Sequence, residues 1–231
     1  MNTTHDLSVS QLLQFSDSAC PVGAFAFSCG LESAVASEIV TDKYSLKDYA
    51  HAIALQSVFT DAIAGIHAHR ATVAHDYESI VKADGFLFST KMNEETRAMQ
   101  RKMGRKLCEL IVNINPCDAI TRLLDDIRQN NTPGCYPAVQ GTCFASLGLG
   151  ERDFFVAHQY GVINTVLNAA LRCVKVSHID TQCILYQLMG AISPLYDEIK
   201  DYNLNEIHSF FPMLDLMASI HEKGTQRMFM S

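Results

Sequence analysis

The chain has 231 residues, of which 48% are hydrophobic and 19% are charged, and its net charge is -7. This composition excludes a disordered chain, because enough apolar material is present to fill a core. The acidic balance disfavours nucleic acid as a partner, since binding to phosphates depends on basic residues. We therefore expect a folded protein with a single domain over residues 1–231.

The beginning of the sequence and its longest apolar stretch both argue against an exported or membrane protein. The first ten residues contain no Lys or Arg and lead into no long apolar run, so the parts of a signal peptide are not seen. The stretch Phe154 to Leu171 is interrupted by polar side chains, unlike a membrane span. No Cys-x-x-Cys spacing occurs among the eight cysteines, which predicts free thiols. We expect a cytoplasmic protein without membrane association.

Apolar residues recur at helical spacing along the chain, and no segment alternates as a half-buried strand would. The patterns predict an all-α fold, a single-domain bundle of about nine helices. The predicted helices are Leu7–Ser16, Leu31–Val40, a helix that begins at Ser45, Glu94–Asn113, Asp118–Gln129, Ala138–Leu149, Asp153–Val174, Asp180–Lys200 and Leu204–His221.

A capping signal and two prolines add detail to the predicted course of three of these helices. The helix at Ser45 starts with Ser45-x-x-Asp48, which resembles a capping signal, and is then apolar around its whole circumference. A helix of that kind is expected at the centre of the bundle. Proline is expected to kink one helix at Pro194 and to interrupt the last helix near Pro212.

Sequence motifs for nucleotide binding and covalent catalysis are not found. The glycine-rich piece Gly141–Gly150 has no Lys for a phosphate, and Ser28 and Ser146 lack the glycines that flank a nucleophilic serine. Asp48-x-x-His51 is the nearest match to a carboxylate site in a bundle, and it is a single pair. We expect no cofactor and no catalytic residue, and therefore a protein that is not an enzyme.

Nine histidines raise the alternative of a stand-alone metal carrier or helical metalloenzyme. Such a protein would use His67, His69 and His75, which lie on one predicted helix, together with the cysteines. Helical side chains meet at intervals of three or four residues, and the intervals here are two, six and eight. Solvated or internally hydrogen-bonded histidines are the simpler interpretation, and the carrier remains the alternative.

The segment Cys20–Glu32 interrupts the helical pattern with a proline and two glycines, yet it contains Phe25 and Phe27. A short loop is usually polar, so these two aromatic side chains need an explanation. The segment is either a buried turn or an apolar contact site for another protein.

The end of the chain presents a similar choice. Gly224 is expected to end the last helix, and Met228, Phe229 and Met230 follow it. An apolar tail is normally docked, either on its own core or on another chain.

These segments resemble the UreF family of urease maturation factors. The most specific piece is Leu12–Ala19, followed by Pro21-Val22-Gly23 and by Ser28-x-Gly30-Leu31-Glu32. The similarity continues in order along the chain through Arg97–Arg105, Gly141–Gly148, Arg172–Gln182, His221-Glu222 and Arg227–Ser231. The sequence departs from the family pattern at Phe25, Phe27, Ser177, His178, Thr181 and Met228.

The resemblance implies an all-α homodimer that binds a UreD/UreH-type accessory protein and with it recruits a UreG-type GTPase. This complex would deliver nickel into apo-urease, with GTP hydrolysis by the GTPase driving the transfer. The chain itself would be a non-enzymatic adaptor. Its expected partner-binding residues are Pro21, Val22, Phe25, Phe27, Glu32, Arg227, Met228, Phe229 and Met230.

Overall fold

A computed structural model describes residues 3–24 and 27–223, and all regular structure within these ranges is helical. The all-α prediction is confirmed. The α-helices are α1 Thr3–Ser16, α2 Leu31–Ala36, α3 Lys43–Ser57, α4 Ile63–Val73, α5 Tyr77–Thr90, α6 Glu94–Ile114, α7 Asp118–Arg128, α8 Tyr136–Ser146, α9 Glu151–Cys173, α10 His178–Ile192, α11 Tyr196–Ile199 and α12 Pro212–Lys223. A π-helical turn, Val58–Ala62, joins α3 to α4 without a break. None of the described helices is both long and apolar enough to cross a membrane.

One cluster of buried apolar side chains extends from Phe15 to Met217 and takes in residues of nearly every helix. Its centre is formed by α4, α8 and α9. The rings of Phe144 and Phe154 meet edge to face there, with their centroids 6.2 Å apart. Burial of a large apolar side chain contributes about 1.5–3 kcal/mol, so this centre is a main source of stability.

Glycines allow the central helices to pack backbone against backbone. A Cβ atom on Gly65 of α4 would overlap the ring of Phe154, and a Cβ atom on Gly141 of α8 would overlap the backbone of Gly65. A Cβ atom on Gly104 of α6 would likewise overlap the carbonyl group of Gly134, which lies in the loop before α8. Any larger side chain at these contacts would force the helices apart.

The N-terminal cap of α3 lies at Asp42. Its carboxylate accepts hydrogen bonds from the backbone N–H groups of Tyr44 at 3.0 Å and Ser45 at 2.9 Å. The hydroxyl of Ser45 in turn accepts from the backbone N–H of Asp42 at 3.0 Å. The predicted cap at Ser45 is therefore wrong, because Ser45 is the third residue of the helix and completes a capping box.

Helix α5 was not predicted from the apolar pattern. Its buried face is formed by Ile80, Ala83, Asp84 and Leu87, so a charged residue stands in the middle of the stripe. The carboxylate of Asp84 accepts hydrogen bonds from the Thr132 hydroxyl and from the backbone N–H groups of Gly134 and Cys135, at 2.5–2.7 Å. Asp84 thus ties the α7–α8 loop to α5, and a helical pattern cannot reveal a long-range bond of this kind.

The helical pattern is interrupted at both prolines for which an interruption was predicted. The break at Pro194 is confirmed, since α10 ends at Ile192 and a 3₁₀ turn, Ser193–Leu195, precedes α11. The interruption predicted near Pro212 is also confirmed, since only a 3₁₀ turn, Leu204–Glu206, lies before it and α12 begins at Pro212. A proline lacks the N–H group that would remain unpaired in a first helical turn, so it suits the start of a helix better than the middle.

Candidate functional site

A cavity of about 220 Å³ lies between the segment that follows α1 and helices α3, α6, α9 and α12. Its apolar lining residues include Phe15, Val22, Phe27, Ile53, Met99, Met103 and Leu214. These residues come from parts of the chain that are far apart in sequence. The cavity includes the apolar N-terminal segment that the sequence singles out, and it is therefore the candidate functional site.

The π-helical turn supplies a charged group to this cavity. Asp61 forms an ion pair with the ammonium group of Lys91 at 2.7 Å, and the two side chains are 10% and 12% exposed. Its carboxylate also accepts hydrogen bonds from Gln100 Nε2 at 3.0 Å and from the Thr60 hydroxyl at 2.8 Å. We refer to Thr60, Asp61, Lys91 and Gln100 as the polar wall. π-Helical turns occur frequently at functional sites, which agrees with this placement.

The Asp61 carboxylate is ionised at neutral pH. Burial is the largest single influence and would raise its pKa, but the charge and hydrogen bond of the Lys91 ammonium, together with the other lowering interactions such as the Thr60 hydrogen bond, outweigh burial. The pKa of Asp61 is therefore below its ordinary value. Within the polar wall the negative charge of Asp61 is matched by the positive charge of Lys91.

His158 of α9 also lines the cavity and is 3% exposed. Its Nδ1–H group donates to Gln140 Oε1 at 2.8 Å, and its Nε2 atom accepts from the Ser57 hydroxyl at 3.2 Å. Burial lowers the pKa of His158 to about 4, because the imidazolium ion would lose its hydration. The ring is therefore neutral at physiological pH.

Two buried polar atoms of cavity-lining residues, Gln100 Oε1 and Ser16 Oγ, have no hydrogen-bond partner among the described residues. The orientation of the Gln100 amide follows from its neighbour, because the carboxylate of Asp61 accepts hydrogen bonds and must face the NH₂ group. An unpaired buried acceptor costs about 1–3 kcal/mol.

Four of the predicted partner-binding residues fall within the described part of the chain. Val22 and Phe27 line the cavity and are 5% and 2% exposed. Pro21 is exposed, and Glu32 is partly buried in the first turn of α2. The ammonium group of Lys102 lies 5.7 Å from the centre of the Phe27 ring. Contact of these residues with a partner stays a prediction.

The other predicted partner-binding residues lie outside the described residues, and their role also stays a prediction: Phe25, Arg227, Met228, Phe229 and Met230.

The sequence reasoning missed the polar wall. A signal was available, because Asp61 is a charged residue in a helical stretch that is apolar on all sides. Such a residue needs a buried partner.

The three histidines considered for a metal carrier point in different directions. The Nε2–H group of His67 donates to the carbonyl of Tyr202 at 2.9 Å, and that of His69 donates to the carbonyl of Leu149 at 2.8 Å. His75 is exposed. Over residues 3–24 and 27–223, no group of three or more His, Cys, Asp or Glu side chains is arranged to hold a metal ion.

Comparison with known proteins gives a consistent family assignment. The family model described as UreF matches residues 40–189. The chain is 45% identical over 221 residues to "Urease accessory protein UreF 2" of Brucella canis, covering 95% of this chain and 90% of that protein. It is 45% identical over 221 residues to "Urease accessory protein UreF 1" of Brucella melitensis biotype 1, with coverage of 95% and 91%. It is 39% identical over 219 residues to "Urease accessory protein UreF" of Yersinia pseudotuberculosis serotype IB, with coverage of 95% and 96%.

Proposed function

Because the chain belongs to the UreF family, we propose that it is a urease accessory protein that takes part in urease maturation. The observation that carries this proposal is the similarity to proteins of that name over nearly the full length of both chains. We further propose that the protein is an adaptor and does not catalyse a reaction.

The adaptor is proposed to bind a UreD/UreH-type accessory protein and, with it, a UreG-type GTPase and apo-urease. Nickel insertion would then depend on GTP hydrolysis by the GTPase. This sequence contains no Gly-x-x-x-x-Gly-Lys loop of its own, which supports assigning the nucleotide to the partner.

A homodimer in the cytoplasm is part of the same proposal. All eight cysteines are free thiols, and three of them are buried. Free thiols are typical of proteins in a reducing compartment. Light scattering on the purified chain would measure its mass and so test the dimer directly.

The proposal is tested by capturing the tagged chain from cells that also express a urease operon. We expect the accessory protein, the GTPase and apo-urease to be recovered with it. The same lysate without the tagged chain serves as the control. Recovery of none of these proteins would overturn the proposal.

A further inference from the structure

Helix α10 presents one side of eight exposed residues to its surroundings. Two of them are large apolar residues, since Ile179 is 76% exposed and Tyr186 is 85% exposed. The exposed residues occur in neighbouring pairs that recur every four positions, so they form a continuous surface along about 20 Å of the helix. We refer to this surface as the α10 face, and its residues are His178, Ile179, Gln182, Cys183, Tyr186, Gln187, Gly190 and Ala191.

The α10 face contains no Asp, Glu, Lys or Arg. The one such residue within α10 is Asp180, and it forms an ion pair with Lys43 of α3 at 3.3 Å. Proteins that recognise a different protein commonly do so through complementary charges, and this surface offers none. Two copies of this chain, each with a net charge of -7, repel each other in general. They approach each other at least cost where neither presents a charge.

Four residues of the α10 face lie on a straight line down the helix. Ile179, Cys183, Tyr186 and Gly190 follow each other at intervals of four, three and four. This is the spacing by which two helices pack along their length in a coiled coil. The α10 face is therefore suited to receive another helix lengthwise.

The sizes of these four residues match an antiparallel copy of the same helix. A twofold axis midway between Cys183 and Tyr186 brings Ile179 opposite Gly190 of the second copy, and Cys183 opposite Tyr186 of the second copy. Each contact joins a large side chain to a small residue, which is how packed layers interdigitate. A Cβ atom on Gly190 meets nothing within 4 Å, so the space above this glycine is open to an incoming side chain. A parallel pair would instead set tyrosine against tyrosine and glycine against glycine.

We propose that two copies of this chain associate through the α10 face, with the two α10 helices antiparallel about a twofold axis between Cys183 and Tyr186. Such an interface is closed, because the same surface is used by both copies. The proposal rests on the proposed function in one respect, that a homodimer is part of it. It adds the surface, the orientation and the register.

The first test uses charge at the two flanks of the contact. The twofold axis places Gln182 beside Gln182 of the second copy, and Gln187 beside Gln187. Gln182→Glu/Gln187→Glu and Gln182→Lys/Gln187→Lys therefore each create like charges on both flanks, whereas a mixture of the two variants creates opposite charges. Both positions are exposed in the single chain, so the fold should be retained.

The dissociation constant of the dimer is measured by sedimentation over a dilution series at low ionic strength, because one helix face is a small interface. We expect each variant alone to associate at least tenfold more weakly than the wild type. The mixture, which serves as the matched control, should form a heterodimer with about wild-type affinity. A wild-type dissociation constant for both separate variants would overturn the proposal.

The second test determines orientation and register by disulfide formation. In a Cys183→Ser background, oxidised Ile179→Cys/Gly190→Cys should form a covalent dimer, because the two thiols face each other across the interface. Within one helix they are about 16 Å apart, which excludes an internal disulfide, since its Cα atoms must lie within about 7 Å. Neither Ile179→Cys nor Gly190→Cys alone, nor the background variant, should be crosslinked. Crosslinking of the two single variants would indicate parallel helices and overturn the proposal.

Capture of urease accessory proteins by the same variants separates this inference from the proposed function. If the wild type is a dimer, captures these proteins and ignores the added charges, the proposed function stands and the α10 interface is wrong. If the charges dissociate the dimer but no accessory protein is captured by the wild type, the interface stands and the proposed function fails. A wild type that is monomeric at every concentration, with capture abolished by both charge variants, would assign the α10 face to a different protein and overturn the inference.

Discussion

At the scale of single residues, the ion pair with Lys91 stabilises the buried carboxylate of Asp61 in a helix that is apolar on all sides. The replacement Lys91→Met would leave that carboxylate without its cation, which typically costs about 3–5 kcal/mol. We expect the free energy of unfolding, measured by urea denaturation at pH 7, to fall by this amount. The double variant Asp61→Asn/Lys91→Met should recover most of the loss, since no buried charge remains.

Lys106→Met is the control for this prediction. Lys106 forms an ion pair with Glu109 at 3.3 Å, but its side chain is 56% exposed. Surface pairs of this kind contribute about 0–1 kcal/mol. Similar small losses in both variants would show that the Asp61–Lys91 pair does not matter for stability.

His158 predicts a pH dependence of stability. Its pKa is about 4 in the folded chain and 6.5 in its ordinary state, so the unfolded chain binds more protons between these two values. The free energy of unfolding should therefore fall as the pH drops from 6.5 towards 4, by about 3 kcal/mol from this residue. Because the pKa of Asp61 is lowered, the stability that its ionised carboxylate contributes is lost only at still lower pH.

The measurement is a series of urea denaturations between pH 7 and pH 4.5, on the wild type and on His158→Gln. The glutamine stays neutral, so the difference in stability between the two proteins should shrink as the pH falls. Parallel curves for the two proteins would contradict a depressed pKa at His158.

At the scale of helices, the close contact of α4, α8 and α9 depends on residues without a side chain. Gly141→Ala would place a methyl group against the backbone of Gly65, and overpacking of this kind typically costs about 1–3 kcal/mol. Gly161→Ala, in the open part of α9, should instead stabilise the chain by about 0.5–1 kcal/mol, because alanine favours a helix more than glycine does. Thermal or urea unfolding of both variants tests the contrast, and destabilisation of equal size would contradict it.

The sequence was sufficient to predict elements whose apolar pattern is unbroken, and it failed where a single polar residue has a distant partner. The stripe of α7, with Ile120, Leu123, Leu124 and Ile127, is buried as expected. Helix α5 was missed because Asp84 occupies its buried face, and its partners lie about fifty residues away in the chain. The π-helical turn was also missed, because the shift of one residue that it causes cannot be seen in a stretch whose apolar residues lie around the whole circumference.

At the scale of the whole molecule, the candidate site could be predicted only in part. Phe27 was singled out because an aromatic residue in a short turn is unusual, and Val22 because it belongs to the Pro21-Val22-Gly23 piece that resembles the family. The other side of the cavity comes from α3, α6, α9 and α12, and tertiary packing alone brings these helices to the same place. Periodicity identifies which face of a helix is buried, and it does not identify what that face meets.

The predicted role of the C-terminal tail is tested at this scale. We expect deletion of residues 224–231, or Arg227→Ala, to weaken capture of the UreD/UreH-type partner, because the planar donor groups of an arginine suit a directional contact beside buried apolar side chains. The melting temperature should change by less than about 2 °C, as a shift of 2–4 °C corresponds to about 1 kcal/mol at this chain length. Arg128→Ala, at an exposed position, is the control. A large fall in melting temperature with normal capture would show that the tail docks on its own chain.

The π-helical turn determines both the contact of Gly65 with α8 and the position of the Asp61–Lys91 ion pair. A π-turn contains one residue more than an α-turn, so α4 leaves α3 with its side chains rotated by about 100° relative to an uninterrupted helix. Loss of one residue from Val58–Ala62 would rotate Gly65 away from α8 and at the same time separate Asp61 from Lys91. Chain length in this stretch should therefore be under stricter selection than the identity of its individual residues. Homologous sequences with a gap of one residue there should have replaced the glycine contact and the ion pair together.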